Sequence, residues 1–474
     1  MVFSSLSFIF LFLPLFLLSY YVVPSKWENA ILFVGSMIFY TVGVLDQPIY
    51  LALFFLSIGV NYLLANRMEL EHNRRRRRLI LMFGLFFDFI WLFLFKYSDF
   101  IFSGLNEIFK ICFPSSDVQI PQLGLILPLG ISFYTFQIVS YLVDVYHRKN
   151  RAEKSLITFG AYISMFPQLI AGPIVNYSSV SDQLHKDRRF SISQLSEGLK
   201  LFIVGLGLKV LLANQVGNLW TSIQAIGYDS ISTQLAWLGI FGYSFQIYFD
   251  FWGYSLMAIG LGHMLGIKLP MNFNHPYTSR SMTEFWRRWH ITLGEWFRDY
   301  LYIPLGGNRV PWIKWVRNLF LVWAFTGLWH GAGWNFILWG VFLFAVMLIE
   351  KLGLKKFLDR FPWIGHLYMI FLIPISWVFF AITDFSQMTL YFSRLFPWMS
   401  SSYSVIFQDD YIKYAYEFCY VLLAGLLFST KIPSKIYYRI KDSIPGFLIL
   451  LLIFWGAIYC LYIGLNDPFL YFRF

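Results

Sequence analysis

Residues 318–348 read NLFLVWAFTGLWHGAGWNFILWGVFLFAVML, and this stretch decides the class of fold. As one straight helix it would be about 45 Å long, which exceeds the roughly 30 Å hydrocarbon core of a bilayer. Near its centre lie Gly327, Gly331 and Gly333, which permit close helix packing or a break. The stretch therefore predicts a membrane-embedded helix that is broken or tightly packed at its middle.

The composition of the whole chain agrees with this class. Of 474 residues, 58% are hydrophobic and 13% are charged, whereas ordinary soluble domains have about a quarter charged residues. The formal net charge is +11, but the basic residues fall in short runs between apolar stretches. That pattern is typical of cytoplasmic loops and argues against a nucleic-acid-binding domain. The three cysteines lie far apart and form no disulfide or zinc pattern, so no metal site is predicted.

Apolar stretches of about the length that spans a bilayer occur along the whole chain. We predict an all-α, polytopic membrane protein with about ten to twelve transmembrane helices, together with re-entrant or interfacial helices, as one domain over residues 1–474. The apolar stretches lie near residues 4–23, 30–45, 48–65, 79–97, 122–146, 157–175, 194–213, 232–266, 316–349, 364–382, 410–429 and 445–465.

Runs of lysine and arginine indicate the cytoplasmic side of a membrane. NRRRRR at residues 73–78 and HRKNRAEK at residues 147–154 are the clearest runs. Counting three spans back from the first run places the amino terminus outside the cell. Counting forward is consistent only if residues 98–121, which are polar and broken, do not cross. The predicted location is the cytoplasmic (inner) membrane of a cell, with the lipid bilayer as a partner.

Polar side chains within apolar stretches are candidates for a site, because an ionisable group at membrane depth costs a few kcal/mol or more. Gln246 and Asp250 lie four residues apart in FQIYFD and would share one helical face. Asp250 would serve either a site or a neighbouring helix. His330 lies between the glycines of the opening stretch, where it cannot easily reach an interface. Its polar and aromatic neighbours there are Trp329, Trp334 and Asn335.

A second stretch, TEFWRRWHITLGEWFRDYLYIPLGGNR at residues 283–309, mixes charged and aromatic side chains. A helix that lies at the cytoplasmic interface, or dips into a cavity, accommodates both kinds. In such a helix Trp286 and His290 would share a face. His290 would then look into a chamber while Arg287 and Arg288 reach anionic groups at its mouth. A basic amphipathic helix held on lipid headgroups is the alternative.

Two histidines outside any metal-ligand pattern favour general-base chemistry. The chain has no HExxH sequence, and it has no nucleophile elbow, phosphate-binding loop or dinucleotide fingerprint in a suitable context. The economical function is acyl transfer to a hydroxyl. One imidazole would deprotonate the hydroxyl for attack on a thioester, while the second would orient the donor or stabilise the oxyanion. No bound cofactor is expected, and the rate should fall as histidine becomes protonated.

Five segments resemble the membrane-bound O-acyltransferase (MBOAT) family. FWRRWHITLGEWFRDYLYIPLGGNR, followed about twenty residues later by GLWHGAGWNFILWG, resembles the paired signature of that family. LPLGISFYTFQIVSYLVDVY, FPQLIAGPIV and YSFQIYFDFWGYSLMAIGLGHMLGI are also similar. The RDYLYIPLGGNR portion resembles the bacterial alginate O-acetylation branch more than the D-alanine export branch. The resemblance covers about residues 120–380.

The resemblance implies roles for several residues. The essential histidine of the family falls on His330, and a second motif position, which holds Asn or Asp in distant relatives, falls on His290. The pair would line a central funnel that reaches from the cytoplasm toward the outer face. Trp329 and Trp334 would shape its walls. The arginines of the RRWH segment would meet either donor phosphates or lipid headgroups.

The resemblance also implies substrates. The donor would be a cytoplasmic acyl thioester, acetyl-CoA or an acyl carrier protein, and the acceptor would be a hydroxyl of an exported polysaccharide. Transfer would be direct or through an extracytoplasmic partner protein. D-alanyl transfer to teichoic acid from a carrier-protein thioester remains an alternative. A transporter with a histidine proton relay is a remote one, because it would need paired intramembrane carboxylates and repeats.

Overall fold

The structure, a computed structural model, describes residues 2–114, 119–188, 190–399, 408–464 and 470. All regular secondary structure in these residues is helical, which confirms the all-α class. The α-helices are α1 Leu13–Val22, α2 Glu28–Gly43, α3 Ile49–Leu70, α4 Arg74–Cys112, α5 Ile131–Tyr146, α6 Leu156–Ser164, α7 Phe166–Leu169, α8 Tyr177–His185, α9 Ile192–Gly207, α10 Asn214–Ile226, α11 Thr233–Met264, α12 Met282–Trp286, α13 Ile291–Phe297, α14 Trp312–His330, α15 Trp334–Ile349, α16 Lys355–Arg360, α17 Pro362–Ala381, α18 Phe385–Leu395, α19 Asp410–Glu417, α20 Cys419–Ser429, α21 Ile432–Ile440 and α22 Ile444–Tyr462.

Short helical segments of two other kinds extend or connect the α-helices. The π-helical segments are Phe8–Phe12, Leu208–Ala213, Arg298–Tyr302 and Glu350–Leu354, and the 3₁₀ segments are Ser25–Trp27, Pro276–Thr278 and Pro397–Met399. π-helical turns are rare in proteins, and those that do occur are often found at functional sites. Two of them carry buried charged side chains, Lys209 and Glu350.

The contacts of the chain form two compact units. The first contains Met1–Gly198 with Leu261–Pro270, and the second contains Leu199–Gly260 with Met271–Phe474. Both histidines of the sequence motifs lie in the second unit. One domain over residues 1–474 and a central funnel stay predictions.

The first unit has an aromatic core. Helix α2 packs against α6, and α4 packs against α3 and α5. Phe3, Phe8 and Phe39 are fully buried, and their rings lie 6.3, 6.1 and 5.5 Å from the ring centroid of Phe166. Helix α5 is buried around nearly its whole circumference, as expected for an apolar helix enclosed by protein.

The second unit contains the helix pair α14 and α15, and α15 also packs on α17. The stretch that opens the sequence analysis is broken: α14 ends at His330 and α15 begins at Trp334. Between them, Gly331 and Gly333 have extended backbone, with φ of −172° and −162°. The predicted break is therefore confirmed, and it leaves His330 at the end of a helix.

Within the described residues, five helices are long and apolar enough to cross a membrane, or six if the bent pair α19 and α20 forms one span. They are Ile49–Leu70, Arg74–Cys112, Trp334–Arg360, Pro362–Ala381 and Ile444–Tyr462. The multi-pass membrane class is confirmed, whereas about ten to twelve transmembrane helices were predicted. Several of those stretches form shorter or more polar helices, such as α5 with 16 residues and α6 with 9 residues.

The polar stretch predicted to be broken at residues 98–121 continues one helix as far as Cys112. Helix α4 has 39 residues and would be about 58 Å long, so it exceeds the hydrocarbon core of a bilayer. Its polar end is tied back by Asn106, whose side chain donates to Ile120 O at 2.9 Å and accepts from Ile120 N at 2.8 Å. Residues 115–118 of that stretch lie outside the described residues.

Replacing Gly327 or Gly340 with alanine should destabilise the α14–α15 pair. A Cβ at Gly327 would lie 2.4 Å from Phe336 O, and one at Gly340 would lie 2.5 Å from Trp323 O. Backbone atoms cannot rotate away, so we expect each variant to lose about 1–3 kcal/mol. Thermal unfolding in detergent measures the loss. Gly59→Ala on α3 is the control, because nothing lies within 4 Å of that Cβ; equal melting of Gly327→Ala and Gly59→Ala would contradict the packing.

Candidate active site

The segment that carries His290 is a turn between two short helices. The single helix predicted to carry both Trp286 and His290 is wrong, because α12 ends at Trp286 and α13 begins at Ile291. His290 itself has φ of 44°, in the left-handed region. Two backbone hydrogen bonds hold the turn: Asn274 N donates to Arg288 O at 2.9 Å, and Ile291 N donates to Asn272 O at 3.0 Å. The predicted shared helical face of Trp286 and His290 therefore does not exist.

The His290 imidazole is buried and oriented by one amide. Its Nδ1 lies 3.1 Å from Asn272 Oδ1, which also accepts from Thr292 N at 3.3 Å and from Thr292 Oγ1 at 3.1 Å. Since the Thr292 backbone N–H can only donate, that Asn272 atom is an oxygen and Nδ1 carries a proton. In the neutral ring the lone pair is then on Nε2. Burial lowers the pKa of His290 well below its ordinary range, and the nearby His330 lowers it further.

His330 is oriented in the same way by a backbone oxygen. It is the last residue of α14, and its Nδ1 lies 2.7 Å from Thr326 O, one helical turn earlier. A carbonyl oxygen only accepts, so Nδ1 donates and the lone pair of the neutral ring is on Nε2. The His330 side chain is buried. Both histidines thus have the same tautomer, set by an oxygen acceptor at Nδ1.

Tryptophan rings bring the two histidines into one cluster. The Trp329 ring lies 5.9 Å from the His290 ring and 4.9 Å from the His330 ring, measured between centroids. Trp339 lies 5.0 Å from His330 and 5.6 Å from Trp286. The structure therefore places His290, His330, Trp286 and Trp329 together.

A cavity of about 410 Å³, which we call the histidine cavity, opens beside this cluster. Of the residues predicted from sequence, Trp286, Arg287 and His290 line it. His330 is not in the lining, but Thr326, which holds its Nδ1, is. Other lining residues that the sequence analysis missed include Tyr302, Arg298 and Lys351. Arg298 is already paired with Asp299 through two contacts, at 2.7 and 3.1 Å.

The structure separates the two adjacent arginines. Arg287 lines the histidine cavity, whereas Arg288 does not. Arg288 Nη2 donates to Glu284 Oε1 at 2.5 Å, and its Nη1 donates to Thr278 Oγ1 at 2.8 Å. Arg288 therefore fastens the turn, and the predicted contact of its guanidinium with donor phosphates is not supported.

Two further residues near His330 have positions that the sequence did not distinguish. The Trp334 side chain is 60% exposed and does not line the histidine cavity, so its predicted place in a chamber wall is not supported. Asn335 is buried, and its Nδ2 donates to Phe379 O at 3.1 Å. Asn335 thus ties α15 to α17, next to the aromatic cluster.

Gln246 and Asp250 lie elsewhere in the second unit. Asp250 Oδ1 is 2.8 Å from the buried Lys209 Nζ, and its Oδ2 accepts from Leu470 N at 2.9 Å. Gln246 packs against Gly217, where a Cβ would come within 2.4 Å of its Nε2. Neither lines the histidine cavity, so Asp250 serves a neighbouring helix segment. Lys209, a lone cation in an apolar stretch, was the sequence signal for this pair.

A buried carboxylate that the sequence analysis missed holds the arginine and histidine segment. Glu350 accepts from Met282 N at 2.6 Å, from Thr283 N at 2.8 Å and from Thr283 Oγ1 at 2.6 Å. These N–H groups form the first turn of α12, where a negative charge is favourable. The sequence feature that could have indicated Glu350 is its position as a single carboxylate at the end of the apolar run 334–349. Glu350 is therefore a positioning residue for the RRWH segment.

A model of the membrane-bound O-acyltransferase family matches residues 147–394, a range that contains the histidine cavity and both oriented imidazoles. The chain belongs to the membrane-bound O-acyltransferase family. It is accordingly an O-acyltransferase and a multi-pass membrane protein. In the described part of the chain, no group of three or more His, Cys, Asp or Glu side chains is arranged to hold a metal ion.

The chain is similar to proteins whose names give different acceptors. The chain is 41% identical over 387 residues to the probable alginate O-acetylase AlgI of Pseudomonas aeruginosa, covering 80% of this chain and 72% of that protein. It is 36% identical over 419 residues to the peptidoglycan O-acetyltransferase of Helicobacter pylori, covering 80% and 77%. It is 29% identical over 258 residues to the teichoic acid D-alanyltransferase of Bacillus subtilis, covering 52% and 64%.

Replacing Glu350 with alanine should slow acyl transfer by moving the turn that holds His290. The change leaves two buried N–H groups without their acceptor, which costs about 1–3 kcal/mol of folding free energy. A displacement of about 1 Å at a site can lower kcat by roughly a hundredfold. Glu350→Gln keeps one acceptor oxygen and should recover most of the rate. Acyl transfer by purified enzyme in detergent measures both. Asp359→Ala, at an exposed ion pair with Lys355, is the control; equal kcat in Glu350→Ala and the control would contradict the positioning role.

The pH dependence should assign the base. Protonation of an imidazole removes the lone pair, so the rate should fall as pH drops through the histidine range, about pH 7 to pH 5. Because burial lowers the pKa of His290, this acid limb should keep its position in His290→Gln while the overall rate falls. Initial rates from pH 5 to pH 9 measure the profile. A wild-type profile flat to about pH 5 would exclude a base that titrates in the ordinary histidine range, and a limb lost in His290→Gln would assign it to His290.

Proposed function

We propose that this enzyme transfers an acetyl group from a cytoplasmic thioester to a hydroxyl of an exported polysaccharide, directly or through an extracytoplasmic partner protein. One observation carries the proposal: two buried imidazoles, each with Nδ1 on an oxygen acceptor, pack against the same Trp329 ring, and His290 lines the histidine cavity. The O-acetylase and O-acetyltransferase names of the relatives favour acetyl as the group transferred. The proposed donor is acetyl-CoA, with an acyl carrier protein thioester as the second choice.

In the proposed reaction His330 acts as the general base. Its Nε2 takes the proton of the acceptor hydroxyl while the hydroxyl oxygen attacks the thioester carbonyl carbon. The new C–O bond forms, the C–S bond breaks, and the proton passes from His330 to the departing thiolate. This sequence requires a neutral imidazole whose lone pair is on Nε2, which the Nδ1 contact with Thr326 O provides.

His290 is better suited to accept than to donate. With its proton on Nδ1, the neutral ring has no N–H on Nε2, and burial disfavours the doubly protonated form. We therefore assign His290 to orienting the acceptor hydroxyl, rather than to stabilising the oxyanion. For the oxyanion we assign the Trp286 Nε1–H group on the cavity wall. This buried donor has no hydrogen-bond acceptor among the described residues.

Cationic residues on the cavity wall would bind the phosphates of the donor. Arg287 and Lys351 carry this role in the proposal, because Arg288 is bound to Glu284 and Arg298 is bound to Asp299. A guanidinium can bind phosphate oxygens through two N–H groups. With the arginine-rich loops on the cytoplasmic side and the amino terminus outside, the enzyme would lie in the inner membrane and receive its donor from the cytoplasm.

Two other acceptors are candidates because they occur in the names of similar proteins. Peptidoglycan is the acceptor in the name of the Helicobacter pylori protein, which is 36% identical. D-alanyl transfer to teichoic acid is the activity in the name of the Bacillus subtilis protein, which is 29% identical over about half of this chain. The higher identity to the alginate relative, 41% against 36% over the same 80% share of this chain, favours a polysaccharide of the alginate type.

Deletion of the gene should abolish O-acetyl groups on the exported polysaccharide, and wild-type protein should restore them. We expect His330→Ala to restore about a hundredth or less of the wild-type level, because a general base contributes about two to four powers of ten in rate. Trp286→Phe should also restore poorly, because it keeps the ring and removes the N–H group. Ester-linked acetate per sugar is measured by mass spectrometry, with protein levels checked by blot.

The control variant is His366→Gln, an exposed histidine in α17 that should restore the wild-type level. Unchanged O-acetyl content after deletion, with loss of peptidoglycan O-acetyl or teichoic acid D-alanyl esters, would reassign the acceptor. Full restoration by His330→Ala at wild-type protein level would exclude His330 as the base.

A further inference from the structure

A second cavity lies in the first unit, apart from the candidate active site. It has a volume of about 610 Å³ and is lined by Arg74, Arg75, Arg78 and Tyr146. The arginines come from the first turns of α4, and Tyr146 is the last residue of α5. We call this site the arginine cavity. Three guanidinium groups around a concave surface suit an anion that carries phosphate, because guanidinium and phosphate form paired hydrogen bonds.

Another arginine of the same run anchors the arginine cavity. Arg77 is buried, its Nη2 donates to Val145 O at 2.6 Å, and its guanidinium lies 5.7 Å from the Tyr146 ring centroid. Asn73 caps the helix by accepting from Arg75 N at 2.9 Å. The cavity arginines are therefore presented by a helix end that is fastened to α5.

The charges of the arginine cavity have no acidic partner in the part of the chain that the structure describes. Among the described residues, no acidic side chain lies within 4.0 Å of the three cavity guanidinium groups. The nearest acidic residues in sequence have other partners: Glu69 accepts from Ala152 N, and Glu71 accepts from Asn73 N at 2.8 Å. Three positive charges thus stand together and would attract an anion from outside the chain.

The arginine cavity continues into an exposed apolar stripe on the same helix. This apolar stripe consists of Leu79, Met82, Phe83 and Phe86. The four residues are 64%, 55%, 57% and 65% exposed. Their spacing of i, i+3, i+4 and i+7 places them on one helical face, and Arg75 and Arg78 precede Leu79 and Met82 by four residues. Helix α4 is also long and apolar enough to span a membrane. A phosphate at the arginines would therefore lie at the end of an exposed apolar helix face.

We propose that the arginine cavity and the apolar stripe together bind an anionic phospholipid. The headgroup phosphate contacts the cavity arginines, and an acyl chain lies along the apolar stripe. A free phosphate would contact the arginines but not the apolar stripe. A zwitterionic lipid has a positively charged group in its headgroup, which the arginines would repel. The proposal is independent of the acyl-transfer function, since it rests on the first unit only.

The test measures lipid retention by purified, full-length protein with native mass spectrometry. The probes are phosphatidylglycerol, phosphatidylcholine and inorganic phosphate, each titrated separately. Each arginine near an anionic lipid contributes about fivefold in affinity, so Arg74→Gln/Arg75→Gln/Arg78→Gln should weaken phosphatidylglycerol binding about a hundredfold. Phosphatidylcholine should bind weakly to every form.

Two further variants separate a built site from diffuse charge. Lys431→Gln/Lys435→Gln/Arg439→Gln removes the same number of charges around α21 and should bind phosphatidylglycerol as wild type does. Arg74→Lys/Arg75→Lys/Arg78→Lys keeps the charge that orients the chain but removes the guanidinium geometry, and should bind about tenfold more weakly. Equal binding by wild type and the lysine variant, or by the arginine and control variants, would overturn the proposal. Inorganic phosphate that binds as tightly as phosphatidylglycerol would also overturn it.

Discussion

The close approach of α14 and α15 is the constraint on which the second unit depends. At Gly327 and Gly340 the two helices meet backbone to backbone, at distances where a Cβ would come within 2.4 and 2.5 Å of a carbonyl oxygen. Only glycine permits this spacing, and the extended glycines that follow end α14 at His330. The imidazole then lies 5.0 Å from the Trp339 ring of the neighbouring helix. A wider hairpin would separate the histidine from the tryptophans that shape its surroundings.

Buried polar groups supply the orientation that packing alone does not. In a low-dielectric interior, a polar atom without a hydrogen-bond partner costs free energy. A buried polar side chain is therefore held in the orientation that gives it a partner. The acceptor Asn272 Oδ1 places a proton on Nδ1 of His290, and the acceptor Thr326 O places one on Nδ1 of His330. Glu350 in the same way holds the first turn of α12. The position of the lone pair on Nε2 thus depends on contacts made on the opposite side of each ring.

Arginine serves two purposes in this chain, and the neighbours of each guanidinium decide which. Arg288 and Arg77 have acceptors within the protein and fasten backbone segments. Arg287 faces the histidine cavity, and the cavity arginines of α4 face a second, separate cavity. The formal net charge of +11 is therefore distributed between structural anchors and side chains that face cavities. Charge counts by themselves describe neither use.

The sequence by itself determined the all-α membrane class and the break at the glycines, and it was sufficient to select His330 and His290 as site candidates. Composition, local apolar length and short motifs are sufficient for these conclusions, because each depends on neighbouring residues. Only the tertiary structure decided that His290 lies in a left-handed turn, that Arg287 and not Arg288 lines the cavity, and that Asp250 is paired with Lys209. Periodicity reports the faces of a continuous helix, whereas these features depend on partners distant in sequence. Such partners, among them Asn272 and Glu350, become visible only when packing brings them together.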